Sequence, residues 1–190
     1  MSVKKALETF FENNNHSWNR VWGTAPRISI SEKYLNSGLI IEGSISNEHE
    51  GEWTPKLQTT PIDFSSIELK LGFRINPQLK EFLSTYWFMP LEGKTTKVDH
   101  IVLNEVLPNT DLVQNIYNYF NMNDYHYLNE GEFYMIGGFC CINCDDSYLV
   151  NFNNKNGQIT AVHNFDKKSI VIAESISELL SNMRGIWDIL

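Results

Sequence analysis

Cysteine is scarce in this sequence, and its three cysteines lie close together. Cys140, Cys141 and Cys144 all fall within one short apolar segment. An odd number of cysteines at such short spacing argues against a disulfide framework and is typical of a reducing compartment. The fold must therefore be held by a hydrophobic core, and a chain of 190 residues is long enough to build one.

Long apolar runs are missing as well. No stretch approaches the roughly 18 apolar residues that a membrane-spanning helix needs. The first ten residues contain two lysines, but no apolar segment follows them, so no secretory signal is predicted. We therefore expect a cytoplasmic protein.

The sequence lacks the signatures of the common enzyme classes. It has no Gly-x-Ser-x-Gly elbow, no glycine-rich phosphate loop followed by Lys-Ser/Thr, and no His-Glu-x-x-His pair. The five histidines show no spacing typical of a proton relay or a metal site. We expect a protein without catalytic residues.

Two chemical uses of the cysteines can be weighed. Cys141 and Cys144 have the spacing of a redox motif, but they end an apolar strand instead of beginning a helix that would lower a thiol pKa. A zinc site would need Cys140 or Cys141, Cys144, and His126 or His163, although adjacent strand residues point to opposite faces. We expect buried or half-buried strand cysteines, and neither a metal nor a cofactor.

Basic residues are rare in the second half of the chain. Residues 99–190 carry four Lys/Arg against twelve Asp/Glu, whereas residues 1–98 carry eleven of each, so the net charge of −8 lies in the second half. Such a field attracts basic surfaces and repels nucleic acid and anionic lipid. It predicts a basic protein partner and no nucleic acid, although acidic side chains also serve simple solubility.

Seven acidic residues of this half are the candidate partner contacts. Their location in the acidic half alone points to them: Glu105, Asp111, Asp124, Glu130, Glu132, Asp145 and Asp146. The last two could also bind a hard cation, but they fit a turn between strands better. In the first half, the acidic segment from Glu48 to Glu52 is interpreted as solvated surface, with partner contact as the alternative.

The helix signals are local and specific. Residues 3–22 have apolar side chains at helical spacing. Residues 64–71 begin with a predicted capping box of Ser65 and Glu68, flanked by a hydrophobic staple of Phe64 and Leu69, and end at Gly72. Three further helices are predicted. The first is capped by Asn76 and has apolar positions through Trp87, and the second is capped by Asn109 and has apolar positions through Phe120. The third begins with a capping box of Ser175 and Glu178 and has apolar positions through Met183.

Strands are predicted where β-branched and aromatic residues concentrate between turn residues. The segments are 38–45, 100–107, 133–142, 148–152 and 158–165, and the loop 153–157 has the strongest hairpin signal. This order of helices, sheet and final helix predicts one α+β domain over residues 1–190 with a largely antiparallel sheet.

Taken in order, these elements resemble the SUKH superfamily, and within it the Syd family. The matching features are Ala6-Leu7-Glu8, Trp18, Trp53-x-Pro55, the capped helix ending in Leu71-Gly72, the helix from Pro77, the long helix near residue 115, the hairpin around Gly157 and the closing segment Ile172–Leu180. The sequence departs from the family in a longer segment 140–156 and in an acidic stretch near residue 110 that is reduced to Asp111.

The resemblance implies a compact α+β protein without enzymatic activity. For Syd it implies an acidic concave surface that binds the basic cytosolic loops of the SecY translocon, with attachment to the cytoplasmic face of the inner membrane only through that partner. Other SUKH members are immunity proteins that neutralise toxins, many of them nucleases with basic grooves. The residues do not separate these two uses, and they leave the oligomeric state open.

Overall fold

A computed structural model describes residues 1–121, 133–140 and 147–186, and the following account is confined to them. The first helix, α1, spans Val3–Trp22 as predicted. The Ser2 side chain accepts a hydrogen bond from the Lys5 N–H at its start, and Gly23 ends it in the left-handed region at φ 67°.

The described helices and strands follow an α+β order. After α1, the helices are α2 Glu32–Leu35, α3 Phe64–Leu71, α4 Pro77–Thr85, α5 Leu112–Phe120 and α6 Ile176–Asn182. The strands are β1 Arg27–Ser29, β2 Glu50–Glu52, β3 Lys56–Leu57, β4 Tyr86–Trp87, β5 Leu91–Gly93, β6 Ile101–Leu103, β7 Phe133–Cys140, β8 Ser147–Asn153, β9 Ile159–His163 and β10 Ser169–Ala173.

Six strands form the main sheet in the order β10-β9-β8-β7-β6-β5, and every neighbouring pair is antiparallel. Two small antiparallel sheets accompany it, β1 with β2 and β3 with β4. The α+β class and the largely antiparallel sheet are therefore confirmed.

Helices cover one face of the main sheet. Leu91, Leu103, Val150 and Ala161 lie in one cross-strand row and are at most 1% exposed. They share a single core with the buried side of α1, and α1 packs on α6 and α4. Since side chains alternate along a strand, the residues between them face the opposite side of the sheet.

The start of α3 differs from the prediction. Asp63, not Ser65, caps the helix, because its side chain accepts from the N–H groups of Ser65 and Ser66. Leu69 is 86% exposed and belongs to no staple, and Glu68 is buried. Gly72 ends the helix at φ 79° as predicted.

Two other helix boundaries also change. The α4 cap at Asn76 is confirmed, but the helix ends at Thr85, and the aromatic pair after it forms β4 against β3. At α5 the cap is Asp111, while Asn109 donates a hydrogen bond to the Lys33 carbonyl instead. At α6 the Ser175 cap is confirmed.

The strand predictions have a similar outcome. The segment 38–45 makes only an isolated bridge from Ile40 to Trp53, so the predicted strand there is wrong. Within the acidic segment 48–52, residues Glu50–Glu52 form strand β2, which was not predicted, and neither was β10. The hairpin at 153–157 is confirmed, with Gly157 at φ 82°. Its Asn154 side chain accepts from the Asn76 N–H and donates to the Arg74 carbonyl.

The buried carboxylate of Glu68 joins α3 to α4. Its oxygens accept from the Ile75 N–H at 2.8 Å and lie 2.6 Å from Lys80 Nζ and 3.4 Å from Arg74 Nη1. Burial alone raises the pKa of Glu68, but the bonds from Lys80 and Ile75 and the charges of Lys80 and Arg74 outweigh it and lower the pKa. The carboxylate therefore stabilises the folded state in its ionised form.

Replacing Glu68 by glutamine is expected to lower the free energy of unfolding by about 1–3 kcal/mol at neutral pH, since a charge-assisted buried bond is lost. A lowered folded-state pKa gives stability above the unfolded pKa and loses it as the pH falls. The difference from wild type should therefore shrink below about pH 4.3, the ordinary pKa of glutamate. Urea unfolding at several pH values measures it.

The matched control is Glu12→Gln, since Glu12 is exposed on α1 and the described residues give its side chain no hydrogen bond or ion pair. This change should stay within about 0.5 kcal/mol. Equal losses in both variants, or a pH-independent difference for Glu68→Gln, would contradict the role of the ionised carboxylate.

Gly137 lies where β7 passes β6 too closely for a side chain. A Cβ there would be 2.2 Å from the Val102 carbonyl oxygen and 2.9 Å from the Leu103 Cα, both backbone atoms. Gly137→Ala is therefore expected to cost about 2–3 kcal/mol, because the strands must separate. At the neighbouring Gly138 the nearest atom would be 3.2 Å away, so Gly138→Ala should cost clearly less in the same thermal unfolding experiment.

Candidate functional site

A cleft of about 470 Å³ lies between α1, the small β1–β2 sheet and the outer side of β5 and β6. We call it the acidic cleft. Its lining residues come from all of these elements and from neighbouring loops: Asn14, Trp18, Pro26, Arg27, Ile28, Ser29, Tyr34, Glu50, Trp53, Pro90, Glu92, Val102 and Ile186. Its volume lies within the range of roughly 300–1,000 Å³ that is usual for ligand clefts.

Two carboxylates give the acidic cleft its charge. Glu50 has no ion-pair partner among the residues that the structure describes, and the Glu92 carboxylate lies 3.8 Å from the His100 ring, which is charged only when protonated. Among the described lining residues the one cation is Arg27, and it is already paired with Glu52 at 3.5 Å. The described lining therefore has an excess of negative charge.

Three aromatic side chains belong to the remaining wall. Trp18, Tyr34 and Trp53 line the acidic cleft, and Trp53 is 4% exposed. Burial, together with the nearby charge of Glu105, raises the pKa of Tyr34, so its hydroxyl stays protonated. Aromatic faces next to carboxylates suit lysine and arginine side chains, whose charged ends are attracted by both.

Of the seven predicted partner contacts, the structure describes Glu105 and Asp111. Glu105 follows β6, forms an ion pair with Lys33 of α2, and has a side chain 22% exposed. Asp111 is exposed and caps α5 by accepting from the Gln114 N–H at 2.9 Å. Both lie in the segment that joins β6 to α5, so the structure brings these two to one part of the surface, and each has a local partner.

The other five predicted contacts lie outside the described residues. They are Asp124, Glu130, Glu132, Asp145 and Asp146. The same holds for His126, Cys141 and Cys144 and for the side chain of Cys140, so the expectations about the cysteines stay predictions.

Several other carboxylates of the second half have local partners. Asp166 in the β9–β10 turn bonds to Lys168 at 2.7 Å and to His163 at 2.6 Å, and these bonds, that of Lys168 first, hold its pKa well below the usual range. Glu174 accepts from Gln158, and Glu178 accepts from the Glu174 N–H. These carboxylates add to the negative electrostatic field of the second half, but each also makes local hydrogen bonds that stabilise the fold.

Glu50 and Glu92 were not among the predicted contacts. Glu50 belongs to the acidic segment 48–52, for which partner contact was the alternative interpretation. Glu92 lies between two buried residues of β5. Because side chains alternate along a strand, it faces outward, and this could be inferred only after β5 was known to be a strand. Both lie in the half of the chain whose net charge is zero, so counting charges along the sequence could not single them out.

Three further observations limit the site. Within the described part of the chain, no group of three His, Cys, Asp or Glu side chains is placed to hold a metal ion. Nor does any helix in that part have both the length and the apolar character needed to cross a membrane. His163, considered above for zinc, lies against Asp166 and the Tyr148 ring.

A six-stranded antiparallel sheet with helices packed on one face defines an α+β protein, and the sequence resemblance places it among proteins of the SUKH type. A family model described as Syd protein (SUKH-2) matches residues 4–185, and the chain belongs to this family. The suspected relationship is thus confirmed. A search of curated proteins gave no match. Syd and SUKH proteins are generally non-catalytic binding or immunity proteins.

A double-mutant cycle measures the contribution of the Lys33–Glu105 ion pair to stability, in the absence of a partner. Burial lowers the pKa of Lys33, but the hydrogen bond and charge of Glu105 raise it overall. With side chains 47% and 22% exposed, the pair should show a coupling energy of about 0.5–1 kcal/mol. The variants are Lys33→Met, Glu105→Gln and the double variant.

Urea unfolding of the four proteins gives the coupling energy, and repetition in about 1 M salt should remove most of it by screening. A coupling energy near zero at low salt would show that Glu105 is free to meet a partner.

Proposed function

We propose that this protein is a non-enzymatic cytoplasmic binding protein that uses an acidic surface to bind basic cytosolic loops of the SecY translocon. Membership of the Syd family supports a protein partner, and the sequence resemblance suggests SecY. The observation that carries the proposal is the acidic cleft, where two carboxylates without a lysine or arginine partner in the described residues stand beside aromatic walls.

The charge acts in two stages. At a distance, the net charge of −8 steers a basic segment toward the protein and raises the association rate. At contact, Glu50 and Glu92 pair with lysine or arginine side chains while the aromatic rings exclude water. Affinity then depends on a few anchors, and the remaining carboxylates act mainly through the field.

The seven predicted contacts remain part of the proposal. Glu105 and Asp111 contribute to the field from the β6–α5 segment, and we propose the same for the other five. Because Glu105 is paired with Lys33, we assign the direct contacts first to Glu50 and Glu92.

Binding kinetics with the purified SecY complex in lipid nanodiscs test the proposal. The double variant Glu50→Gln/Glu92→Gln should associate about 3–10-fold more slowly at low salt than wild type, because two steering charges are removed. Its association rate should also fall less steeply as the salt concentration rises.

The matched control is Glu174→Gln. Glu174 is exposed and follows β10, at the sheet edge opposite β5, and glutamine can still accept from Gln158. This variant should associate nearly as fast as wild type, because it removes a single charge outside the cleft lining. The proposal fails if wild type does not bind SecY, or if the double variant and the control associate equally fast. Retention of a toxin domain and not SecY in a pull-down from cell lysate would assign immunity instead.

A further inference from the structure

The strand β1 uses one of its edges for pairing with β2. At the two ends of this ladder, the Trp53 N–H donates to the Pro26 carbonyl at 2.9 Å and the Ile30 N–H donates to the His49 carbonyl at 2.8 Å. In an antiparallel pair, successive residues direct their backbone groups alternately toward the partner strand and away from it. Every second residue from Pro26 therefore faces β2, and those between face the other way.

The residues that face away are Arg27 and Ser29, and both line the acidic cleft. Their two N–H and two C=O groups have no hydrogen-bond partner among the residues that the structure describes. The Nε of Arg27 is also buried, and the described part of the chain offers it no acceptor. A short row of unpaired donors and acceptors thus borders the cleft.

The opposite edge of the same small sheet is closed. The Glu52 carbonyl accepts from the Ile41 N–H at 2.8 Å, and the Glu52 N–H donates to Ser44 Oγ at 3.0 Å. The Glu50 carbonyl accepts from the Ser46 N–H at 2.8 Å. Since the chain satisfies one edge with its own groups, the open edge of β1 is a specific feature of the cleft side.

Charge decides what the open edge would accept. Glu50 on the neighbouring strand β2 and Glu92 on β5 line the same cleft as the edge, together with Trp18 and Tyr34. An extended segment offers N–H and C=O groups along one edge and alternating side chains on its two faces. With lysine or arginine at alternate positions, it would match both the backbone row and the carboxylates.

We propose that the acidic cleft binds an extended basic segment of the partner protein as a third strand, antiparallel or parallel, on the open edge of β1. The inference rests on the proposed function, since it takes the ligand to be a basic protein segment, and it adds the binding mode. Backbone bonds to Arg27 and Ser29 hold the segment, while Glu50 and Glu92 select its charge.

The probe is a capped ten-residue peptide of alternating lysine and threonine. The control is the same peptide with every second backbone nitrogen methylated, which keeps the charge but removes the N–H donors along one edge. Two such peptides are made, one methylated at the lysines and one at the threonines, so that each edge is blocked in turn. Since one lost hydrogen bond of about 1.4 kcal/mol is a factor of ten, at least one methylated peptide should bind about tenfold more weakly by calorimetry. Equal affinity of all three peptides would overturn the proposal.

Amide hydrogen exchange on the unmodified protein gives a second, independent measurement. In the free protein the amides of Arg27 and Ser29 should exchange fast, whereas that of Ile30, which donates to His49, should be protected. Saturating peptide should slow exchange at Arg27 and Ser29 about tenfold. Unchanged exchange at both positions with the peptide bound would also overturn the proposal.

The variant Ser29→Pro removes one donor of the open edge without removing a bond to β2. It should weaken peptide and SecY binding about tenfold, whereas Glu174→Gln should not. If SecY binds with its charge dependence but neither methylation nor Ser29→Pro matters, strand addition fails and the proposed function stands. If the peptide binds as a strand and SecY does not bind, the proposed function fails instead.

Discussion

The rest of the structure depends on the burial of one face of the main sheet under α1, α4 and α6. Within α1, the buried apolar residues end at Phe10, and the next buried positions are the polar Asn14 and Ser17. The first half of the helix therefore belongs to the core, and the second half leaves it. A helix of 20 residues is about 30 Å long, so it reaches beyond the core and can form the wall of the acidic cleft.

The open edge of β1 at the cleft differs from the edges of the main sheet. On the main sheet, β5 is bridged at Lys94 by the backbone of Arg184, and the Lys97 ammonium donates to the Val171 carbonyl on β10. Unpaired edges invite unwanted pairing, and a bridging segment or a lysine reduces that risk. The open edge of β1 has neither device, but it borders a cleft whose carboxylates disfavour acidic segments.

Local signals predicted much of the fold, because helix caps and turns are decided by a few neighbouring residues. The caps of α4 and α6, the glycine after α3 and the hairpin at Gly157 are of this kind. The predicted cap of α3 was wrong because Asp63 and Ser65 are both good capping residues, and the local sequence does not distinguish them. Glu68 makes no capping box, since its buried carboxylate instead contacts Ile75, Arg74 and Lys80.

Long-range pairing was the part that sequence patterns could not provide. The segment 38–45 is apolar enough for a strand, but in the fold its pairing with residues 52–54 is limited to an isolated bridge between Ile40 and Trp53. The acidic cleft joins elements from several parts of the chain, so Glu50 of β2 and Glu92 of β5 gain a common environment that no spacing along the chain encodes. The excess negative charge of the second half can be counted in the sequence, whereas the cleft can be found only once the arrangement of the strands and helices is known.

The packing of α1 against α6 has a consequence for biosynthesis. The helix α6, which packs on α1, is made only after about 150 residues have followed α1. At roughly 5–20 residues per second, the apolar stripe of α1 waits on the order of ten seconds for its partner. During that interval, the apolar face of α1 is exposed on the nascent chain, where chaperones at the ribosome can bind it.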